Sequence, residues 1–237
     1  MLHSLKSFAC SAVLASFSIA AFGTLAMAGH PAVVRLTVPV KEGARSLGSG
    51  VLAGADDRFG YVLTAHHVVR DAAGSPKVRF ANGTTAQGEV LRTDSHADLA
   101  LIRVRRPAVA PVEWAAAPAT KGDQLVAAGF GGDGKYQEAA GPVIGFTNHT
   151  KQSAKWMIVD AQVRSGDSGG PVFTEDGKLA GVLWGCNNNT YASPVGRLDD
   201  FTNSKGRRLF PIRRAISRLR GRRTPAVSVS HTAANAQ

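Results

Sequence analysis

Short apolar runs separated by turn residues recur through most of this chain, and they constrain its fold more than any other feature. Alternating or β-branched runs bounded by Gly, Asp, Asn and Pro are typical of β-strands. Twelve such runs predict strands at Ala32–Val38, Leu47–Leu52, Gly60–Thr64, Lys77–Ala81, Thr85–Leu91, Leu99–Val104, Gln124–Gly129, Lys135–Phe146, Trp156–Val159, Pro171–Thr174, Leu179–Trp184 and Thr190–Val195.

The strands divide into two equal groups. A Pro- and Ala-rich segment without a clear period, Arg105–Thr120, separates the first six from the last six. Six short strands on each side of such a linker predict two small antiparallel barrels or sandwiches, and 237 residues are enough to give each a core. No sustained helix is predicted before residue 205. The sequence therefore predicts an all-β fold in two halves.

The N-terminal segment has the pattern of an export signal. After a weakly basic start, Phe8–Phe22 is uncharged and apolar, and Ala26-Met27-Ala28 is a small-x-small cleavage pattern. The apolar run is shorter than the roughly 20 residues of a membrane-spanning helix. We therefore predict a signal peptide at residues 1–28 and a periplasmic or secreted bacterial protein; a buried N-terminal helix is the alternative. Cleavage would leave Cys186 as the one cysteine, expected as a free thiol rather than a link between two chains.

Most of the basic character lies near the C-terminus. The formal charge is +11, yet Lys205–Arg223 holds nine basic residues and no acid, and residues 29–204 hold 18 basic against 17 acidic side chains. Ile212, Ile216 and Leu219 share one face, so residues 205–223 predict a basic helix that docks by its apolar stripe. Contact with an anionic surface such as lipid, cell-wall polymer or DNA is the alternative. Sequence-specific nucleic-acid binding is not expected, because regular aromatic interleaving is absent, and residues 224–237 predict a disordered tail.

The most specific motif is Gly166-Asp167-Ser168-Gly169-Gly170-Pro171. Serine becomes a nucleophile when its hydroxyl is exposed in a tight turn within reach of a base. Flanking glycines allow such a turn and let successive N–H groups converge on one point. The alternative for this segment is a glycine-rich hairpin loop.

A base and an acid for such a serine lie in the first half. His67, in Thr64-Ala65-His66-His67-Val68, follows a predicted strand end, and Asp98 precedes the apolar run Leu99–Ile102. A partly buried acid can fix the tautomer of an imidazole and stabilise its charged form. Taken singly, His67 is as consistent with a surface residue, and Asp98 with an ordinary strand start.

Together, the three segments resemble the trypsin-like (chymotrypsin-fold) serine proteases, most closely the lean bacterial branch without disulfides. TAHHV is similar to the family's Thr-Ala-x-His block, DLALI to its Asp-x-Ala-Leu block and GDSGGP to its nucleophile block, in the family order. The resemblance covers roughly residues 32–200. It implies two six-stranded antiparallel β-barrels, at 29–112 and 113–204, with the active site in the cleft between them and a C-terminal helix.

The resemblance also implies a role for each position. His67 would be the general base and then the acid, Asp98 its orienter and Ser168 the acylated nucleophile. The backbone N–H groups of Gly166 and Ser168 would form the oxyanion hole. His66 stands where the family has a small residue, which makes it a second candidate for the base. No metal or cofactor is implied.

Substrate preference follows less directly from the resemblance. Gln162 maps onto the base of the family's primary specificity pocket, and Leu183 stands directly before the Trp-Gly pair, where glutamate-specific bacterial relatives have a His. Neither residue is charged, so an uncharged P1 side chain is expected. Trp184 and Gly185 match the edge that binds the substrate backbone, while an exposed Gln162 and a core Trp184 are the alternatives.

Two departures from the family pattern bear on assembly and activation. No Ile-Val-Gly-Gly segment follows the predicted cleavage, so activation by a new N-terminus at Asp167 is not indicated, and the length leaves no room for a PDZ domain. These features predict a simple, monomeric exported serine endopeptidase acting on proteins or peptides. The alternative is a catalytically silent, protease-like protein that captures a protein or polyanionic partner.

Overall fold

The computed structural model describes residues 29–148, 155–187, 189–204 and 207–213. The predicted signal peptide and disordered tail lie outside these residues. No helix among the described residues is long and apolar enough to cross a membrane.

Six strands form the first barrel: β1 (Val33–Pro39), β2 (Arg45–Ala55), β3 (Phe59–Ala65), β4 (Lys77–Phe80), β5 (Thr85–Asp94) and β6 (Leu99–Arg105). A 3₁₀ turn at Lys41–Gly43 joins β1 to β2, and a single helical turn, α1 (His66–Val69), follows β3. The strands pair in the order β1-β2-β3-β6-β5-β4, and β4 closes the barrel against β1.

Six further strands form the second barrel: β7 (Gln124–Phe130), β8 (Tyr136–Asn148), β9 (Lys155–Val159), β10 (Pro171–Thr174), β11 (Leu179–Asn187) and β12 (Asn189–Pro194). Their order is β7-β8-β9-β12-β11-β10, closed by the β7–β10 pair. The second barrel thus repeats the strand order of the first. All twelve predicted strands and the two-barrel architecture are confirmed.

The helix near the C-terminal end corrects one expectation. Helix α2 (Val195–Thr202) begins directly after β12, so the chain does contain a helix before residue 205. Its buried residues Val195, Leu198 and Phe201 are spaced by three, a pattern too short to stand out in the sequence. Two short strands follow, β13 (Asn203–Ser204) and β14 (Arg207–Arg208). Because these strands pair, the helix predicted for residues 205–223 does not extend over residues 207–213, and the part of it beyond residue 213 lies outside the described residues.

The two barrels share an apolar contact surface. The interior of the first barrel continues into Ala128, Phe173, Leu179 and Val182 of the second as one buried cluster. A smaller cluster around Leu125, Val143, Met157 and Leu183 fills the second barrel itself. Trp114, in the linker between the barrels, is fully buried and its indole donates to the Ala53 carbonyl oxygen at 2.8 Å. Groups on the facing ends of the two barrels are therefore held in fixed relation.

Candidate active site

His67 lies in α1, the single helical turn that directly follows β3 of the first barrel. Its imidazole Nδ1 is 2.7 Å from Asp98 Oδ2, and its backbone N–H donates to Asp98 Oδ1 at 2.9 Å. The His67 side chain keeps 35% of its surface exposed, against 14% for Asp98. A carboxylate that accepts from Nδ1 fixes the tautomer in which Nε2 carries the free lone pair. The structure thus brings His67 and Asp98 together as a base and its orienting acid.

Asp98 reaches His67 because of strand pairing. It immediately precedes β6, and Leu99 of β6 pairs with Ala65 at the end of β3. The backbone of Asp98 has a φ of 47°, in the left-handed region. His66 donates its backbone N–H to the Asp98 carbonyl oxygen at 3.0 Å. Its position therefore connects the acid to the histidine turn through the backbone as well as through the side chain.

Ser168 lies on the loop that joins β9 to β10 in the second barrel. Its carbonyl oxygen accepts the N–H of Ser49 in the first barrel at 2.8 Å. The neighbouring Gly169 has a φ of 83°, and a Cβ there would lie 2.1 Å from Thr64 Oγ1 and 2.8 Å from the Ala65 nitrogen. Only glycine allows this approach, which packs the serine loop against the end of β3, two residues before His67.

No Ser168–His67 side-chain hydrogen bond is present within the described residues. Nucleophile–base hydrogen bonds are often long or poorly aligned in free enzymes and tighten when substrate binds. For His66, the second candidate for the base, the described residues show a backbone hydrogen bond to Asp98 and no side-chain hydrogen bond.

Some backbone N–H groups of the serine loop have protein acceptors and others have none. Asp167 donates to the Arg164 carbonyl oxygen, Gly169 to that of Leu183 and Gly170 to that of Asp167. The N–H groups of Gly166 and Ser168 have no acceptor among the described residues. Gly166 has a φ of 95°, which an L side chain rarely adopts. The two N–H groups predicted for the oxyanion hole are therefore both without a protein acceptor among the described residues, as is that of Ser165.

A serine of the first barrel holds this loop from the other side. Ser49 is fully buried; its Oγ donates to the Gly166 carbonyl oxygen at 2.8 Å and accepts from the Phe130 N–H at 2.7 Å. Sequence reasoning missed Ser49, although its position between Gly48 and Gly50 is a signal, since two flanking glycines allow close backbone approach. A Cβ at Gly48 would lie 3.2 Å from the Ser168 carbonyl oxygen.

Asp167 is paired within its own loop. Its carboxylate is 2% exposed, and Oδ2 accepts the Arg164 backbone N–H at 2.7 Å and lies 3.6 Å from Arg164 Nε. The same guanidinium donates to the Lys135 carbonyl oxygen at 2.9 Å and lies 3.8 Å from Asp133. The pKa of Asp133 is lowered, first by the Lys135 backbone N–H and then by the positive charges of Arg164 and Lys135. Arg164, which sequence reasoning also missed, links the serine loop to the β7–β8 turn.

The four residues predicted for substrate binding lie in different environments. Gln162 is exposed, and its carbonyl oxygen accepts from Gln137 Nε2 at 3.4 Å. The Leu183 side chain is buried in the second barrel, and its backbone is hydrogen-bonded to Gly169 and Gly170 of the serine loop. Trp184 is half-buried between Trp156 and Tyr191, with ring centroids at 4.8 and 5.5 Å. Gly185 follows it on β11, and contact of these four residues with a substrate stays a prediction.

The described ranges contain no group of three or more His, Cys, Asp or Glu side chains placed to hold a metal ion. The side chain of Cys186 lies outside what the structure describes.

Two closed six-stranded barrels, with a His–Asp pair on one and a glycine-flanked serine loop of the other packed beside it, define the chymotrypsin-fold class of peptidases. The family model of the trypsin-like peptidase domain matches residues 48–182, which include His67, Asp98 and Ser168. The chain belongs to this family.

Curated relatives and solved structures agree with this assignment. A protein of Pseudomonas fluorescens (strain Pf-5) named as a probable periplasmic serine endoprotease, DegP-like, is 30% identical over 156 residues, which are 65% of this chain and 31% of the relative. A protein of the same name from Pseudomonas putida (strain W619) is 32% identical over 142 residues, covering 59% of this chain and 29% of the relative. The chain therefore spans about a third of the length of these relatives.

Among solved structures, the active form of the Rv3671c protease from M. tuberculosis superposes with a TM-score of 0.67 at 22% identity, covering 84% of this chain and 92% of that chain. The HtrA-type protease AlgW, solved with a tripeptide, gives a TM-score of 0.62 at 23% identity, over 70% of this chain and 57% of that chain. At these identities the likeness shows the fold.

Proposed function

We propose that this chain is an exported serine endopeptidase that hydrolyses peptide bonds through an acyl-enzyme on Ser168. The observation that carries the proposal is the convergence of three elements at the contact between the barrels. The His67–Asp98 pair lies at the end of β3, the Ser168 loop packs on that same strand end, and the loop leaves the Gly166 and Ser168 N–H groups without protein acceptors.

The proposed reaction begins when Ser168 Oγ attacks the carbonyl carbon of the scissile peptide and the hydroxyl proton of Ser168 passes to His67 Nε2. Asp98, which accepts from Nδ1, stabilises the imidazolium that forms. The negative charge that develops on the carbonyl oxygen is met by the N–H groups of Gly166 and Ser168. Such preorganised donors matter because each typically lowers the barrier by about 2.7–4 kcal/mol.

The second half of the reaction uses the same groups in the opposite direction. His67 returns its proton to the leaving amine, and the C–N bond breaks to leave an ester on Ser168. Water then enters, loses a proton to His67 and attacks the ester carbonyl. The bond between the acyl group and Ser168 Oγ breaks, His67 returns the proton to Oγ, and the acid product leaves. No group beyond the triad and the oxyanion donors is needed for these steps.

Export is proposed on two grounds. The N-terminal segment has the signal pattern described above, and the curated relatives carry the word periplasmic in their names. The proposed substrates are proteins or peptides, with an uncharged P1 side chain, because neither Gln162 nor Leu183 supplies a charge. The AlgW structures, solved with a tripeptide and a decapeptide, are those of peptide-bound proteases.

The basic C-terminal segment has no assigned partner. Of its nine cationic side chains, Arg208 pairs with Asp199 at 3.0 Å and Arg213 with Glu113 at 2.9 Å. These two contacts favour docking on the body of the protein. Contact with an anionic surface stays a prediction, as does the monomeric state.

Cleavage of a diverse peptide library by the purified chain tests the proposed function. We expect turnover by the wild-type chain and a loss of about 10⁴-fold or more in Ser168→Ala, since removal of a triad serine leaves the oxyanion hole and binding alone. The matched control is Ser165→Ala, because Ser165 is exposed on the same loop and makes no side-chain hydrogen bond among the described residues. A folded wild-type chain that cleaves no peptide, or equal cleavage by Ser168→Ala, would show that the proposal is wrong.

A further inference from the structure

The acid of the proposed triad has an unusual backbone conformation. Among the described residues, Asp98 and Glu42 are the two that are not glycine and have a positive φ, at 47° and 59°. Glu42 lies on an exposed turn, whereas Asp98 is partly buried beside His67. A side chain in the left-handed region costs free energy, so it persists where the surroundings fix the peptides on both sides.

The peptide that follows Asp98 is fixed from within the first barrel. The Asp98 carbonyl oxygen accepts the His66 N–H at 3.0 Å, and Oδ1 accepts the His67 N–H at 2.9 Å. These two bonds tie the acid to the turn that carries the histidine. They do not set the orientation of the peptide that precedes Asp98.

The preceding peptide is fixed from the second barrel. Ser193 Oγ donates to the Ala97 carbonyl oxygen at 2.8 Å, and both residues are almost fully buried, at 2% and 1% exposure. The Ala97 N–H is accepted by Asp94 Oδ1 at 2.9 Å, so the segment is held on the first barrel as well. The Ser193 hydroxyl therefore supplies the hydrogen bond from the other barrel.

The strand that carries Ser193 is paired with a strand that contacts the nucleophile loop. Ser193 of β12 pairs with Val182 of β11, and the next residue, Leu183, accepts the Gly169 N–H at 2.8 Å. Gly169 follows Ser168 directly. The paired strands β11 and β12 thus contact two parts of the site. Strand β12 contacts the segment that precedes Asp98, and β11 contacts the segment that follows Ser168.

We propose that Ser193 is a positioning residue, whose hydroxyl holds the Ala97–Asp98 peptide so that the Asp98 carboxylate is aligned with His67. The inference rests on the proposed function and adds to it a residue outside the three motifs. Ser193 does not touch the reacting atoms; it acts through the orientation of Asp98. Loss of its hydroxyl should lower kcat, because the base is less well oriented, and leave KM nearly unchanged, because no substrate contact is removed.

The test compares Ser193 variants that keep the hydroxyl group with variants that lack it. We expect Ser193→Ala to lower kcat at least tenfold with little change in KM. Ser193→Thr and Ser193→Val add similar volume, and Thr alone retains the donor, so the Thr variant should exceed the Val variant in kcat even where the added methyl group strains the site. Thr202→Val is the matched control, because Thr202 is fully buried and its hydroxyl donates within α2, to the Leu198 carbonyl oxygen at 2.8 Å.

A spectroscopic measurement separates this inference from the proposed activity. The proton on His67 Nδ1, hydrogen-bonded to Asp98, should give a downfield NMR resonance in the wild-type chain and in Thr202→Val, and the resonance should move or broaden in Ser193→Ala. Wild-type kcat and an unchanged resonance in folded Ser193→Ala, or an equal loss in Thr202→Val, would overturn the inference. A wild-type chain with the resonance but no turnover would count against the proposed function and leave the inference standing.

Discussion

The two barrels have the same strand order, but they hold the proposed catalytic groups by different means. In the first barrel, His67 and Asp98 lie next to the paired ends of two regular strands, because Ala65 of β3 pairs with Leu99 of β6. In the second, Ser168 lies on a loop whose contacts run to Ser49 and Thr64 in the other barrel and to the β7–β8 turn through Arg164. Strand pairing, with one hydrogen bond from Ser193 of the other barrel, places the first half of the site. Contacts across the interface and within its own barrel place the serine loop.

Because of this difference, substitutions can test the two halves of the site separately. A change in the first barrel that leaves the strands intact should affect the chemistry of the base and leave the fold unaltered. A change in the contacts that support the serine loop should affect stability and catalysis together, because the same hydrogen bonds serve both.

Asp98→Asn tests the first half and should have the larger effect. An amide in place of the carboxylate favours the wrong imidazole tautomer, so we expect kcat to fall about 10⁴-fold. The free energy of unfolding should change much less, since Asn also tolerates a positive φ. Steady-state kinetics and urea unfolding of the same preparation measure both quantities.

Asp94→Asn provides the matched control for that variant. Asp94 Oδ1 accepts the N–H groups of His96 and Ala97, and an Asn side-chain oxygen can accept them equally. We expect kcat within about twofold of wild type. A similar loss in both variants would mean that the segment before β6 is generally disturbed and that the carboxylate of Asp98 has no special role.

Ser49→Ala tests the second half. The substitution leaves the Gly166 carbonyl oxygen and the Phe130 N–H without the buried partner they share, at a cost of about 1–3 kcal/mol in the free energy of unfolding. Because the Gly166 N–H belongs to the same loop, we expect kcat to fall by less than the roughly 10²–10³-fold that follows loss of an oxyanion donor. Kinetics and urea unfolding again measure the two effects.

Ser46→Ala is the control on the same strand, since Ser46 is half-buried and makes no side-chain hydrogen bond within the described residues. Wild-type stability and kcat in Ser49→Ala would break the comparison, because the serine loop would then be held without the first barrel.

The smallest expected effect is at a tyrosine away from the site. Tyr61 OH donates to Asp56 Oδ2 at 2.6 Å, and desolvation, followed by the hydrogen bond and charge of Asp56, raises the pKa of Tyr61 to about 12. A tyrosine with a raised pKa in the folded state stabilises the fold fully below its unfolded pKa of about 10. That stabilisation is lost as the pH rises from about 10 through 12.

Tyr61→Phe should therefore lower the free energy of unfolding by about 0.5–1.5 kcal/mol below pH 10, and the difference from wild type should shrink above it. The second barrel offers the matched case, because Tyr136 donates to Glu138 and burial likewise raises the pKa of Tyr136. Urea unfolding between pH 8 and 11.5 measures both. A Tyr61→Phe difference that grows with pH would contradict the assigned hydrogen bond.

Local patterns sufficed for the strands and the three motifs, because alternation and turn residues act over a few positions. The two barrels were predicted, but the strand order that they share was not, since the two halves share no sequence repeat and strand order depends on contacts distant along the chain. Helix α2 was missed because eight residues give too few turns for a clear period.

The supporting contacts of the site were beyond sequence reasoning for the same reason. Ser49 and Gly166 are separated by 117 residues, and Ser193 and Ala97 by 96. In a sequence, a serine that will be buried looks the same as any other small residue. Only the fold shows which carbonyl oxygen accepts its hydrogen bond. Asp167 and Arg164 are three residues apart, yet their pairing depends on a turn that only the folded loop adopts.

The most direct test of the account is the intact mass of the folded chain after treatment with a fluorophosphonate. An activated serine between a base and an oxyanion hole attacks phosphorus and expels fluoride. The account predicts one added phosphonyl group, located by peptide mapping on Ser168, and none on Ser168→Ala. An unmodified wild-type chain, or an adduct that persists in Ser168→Ala, would contradict it.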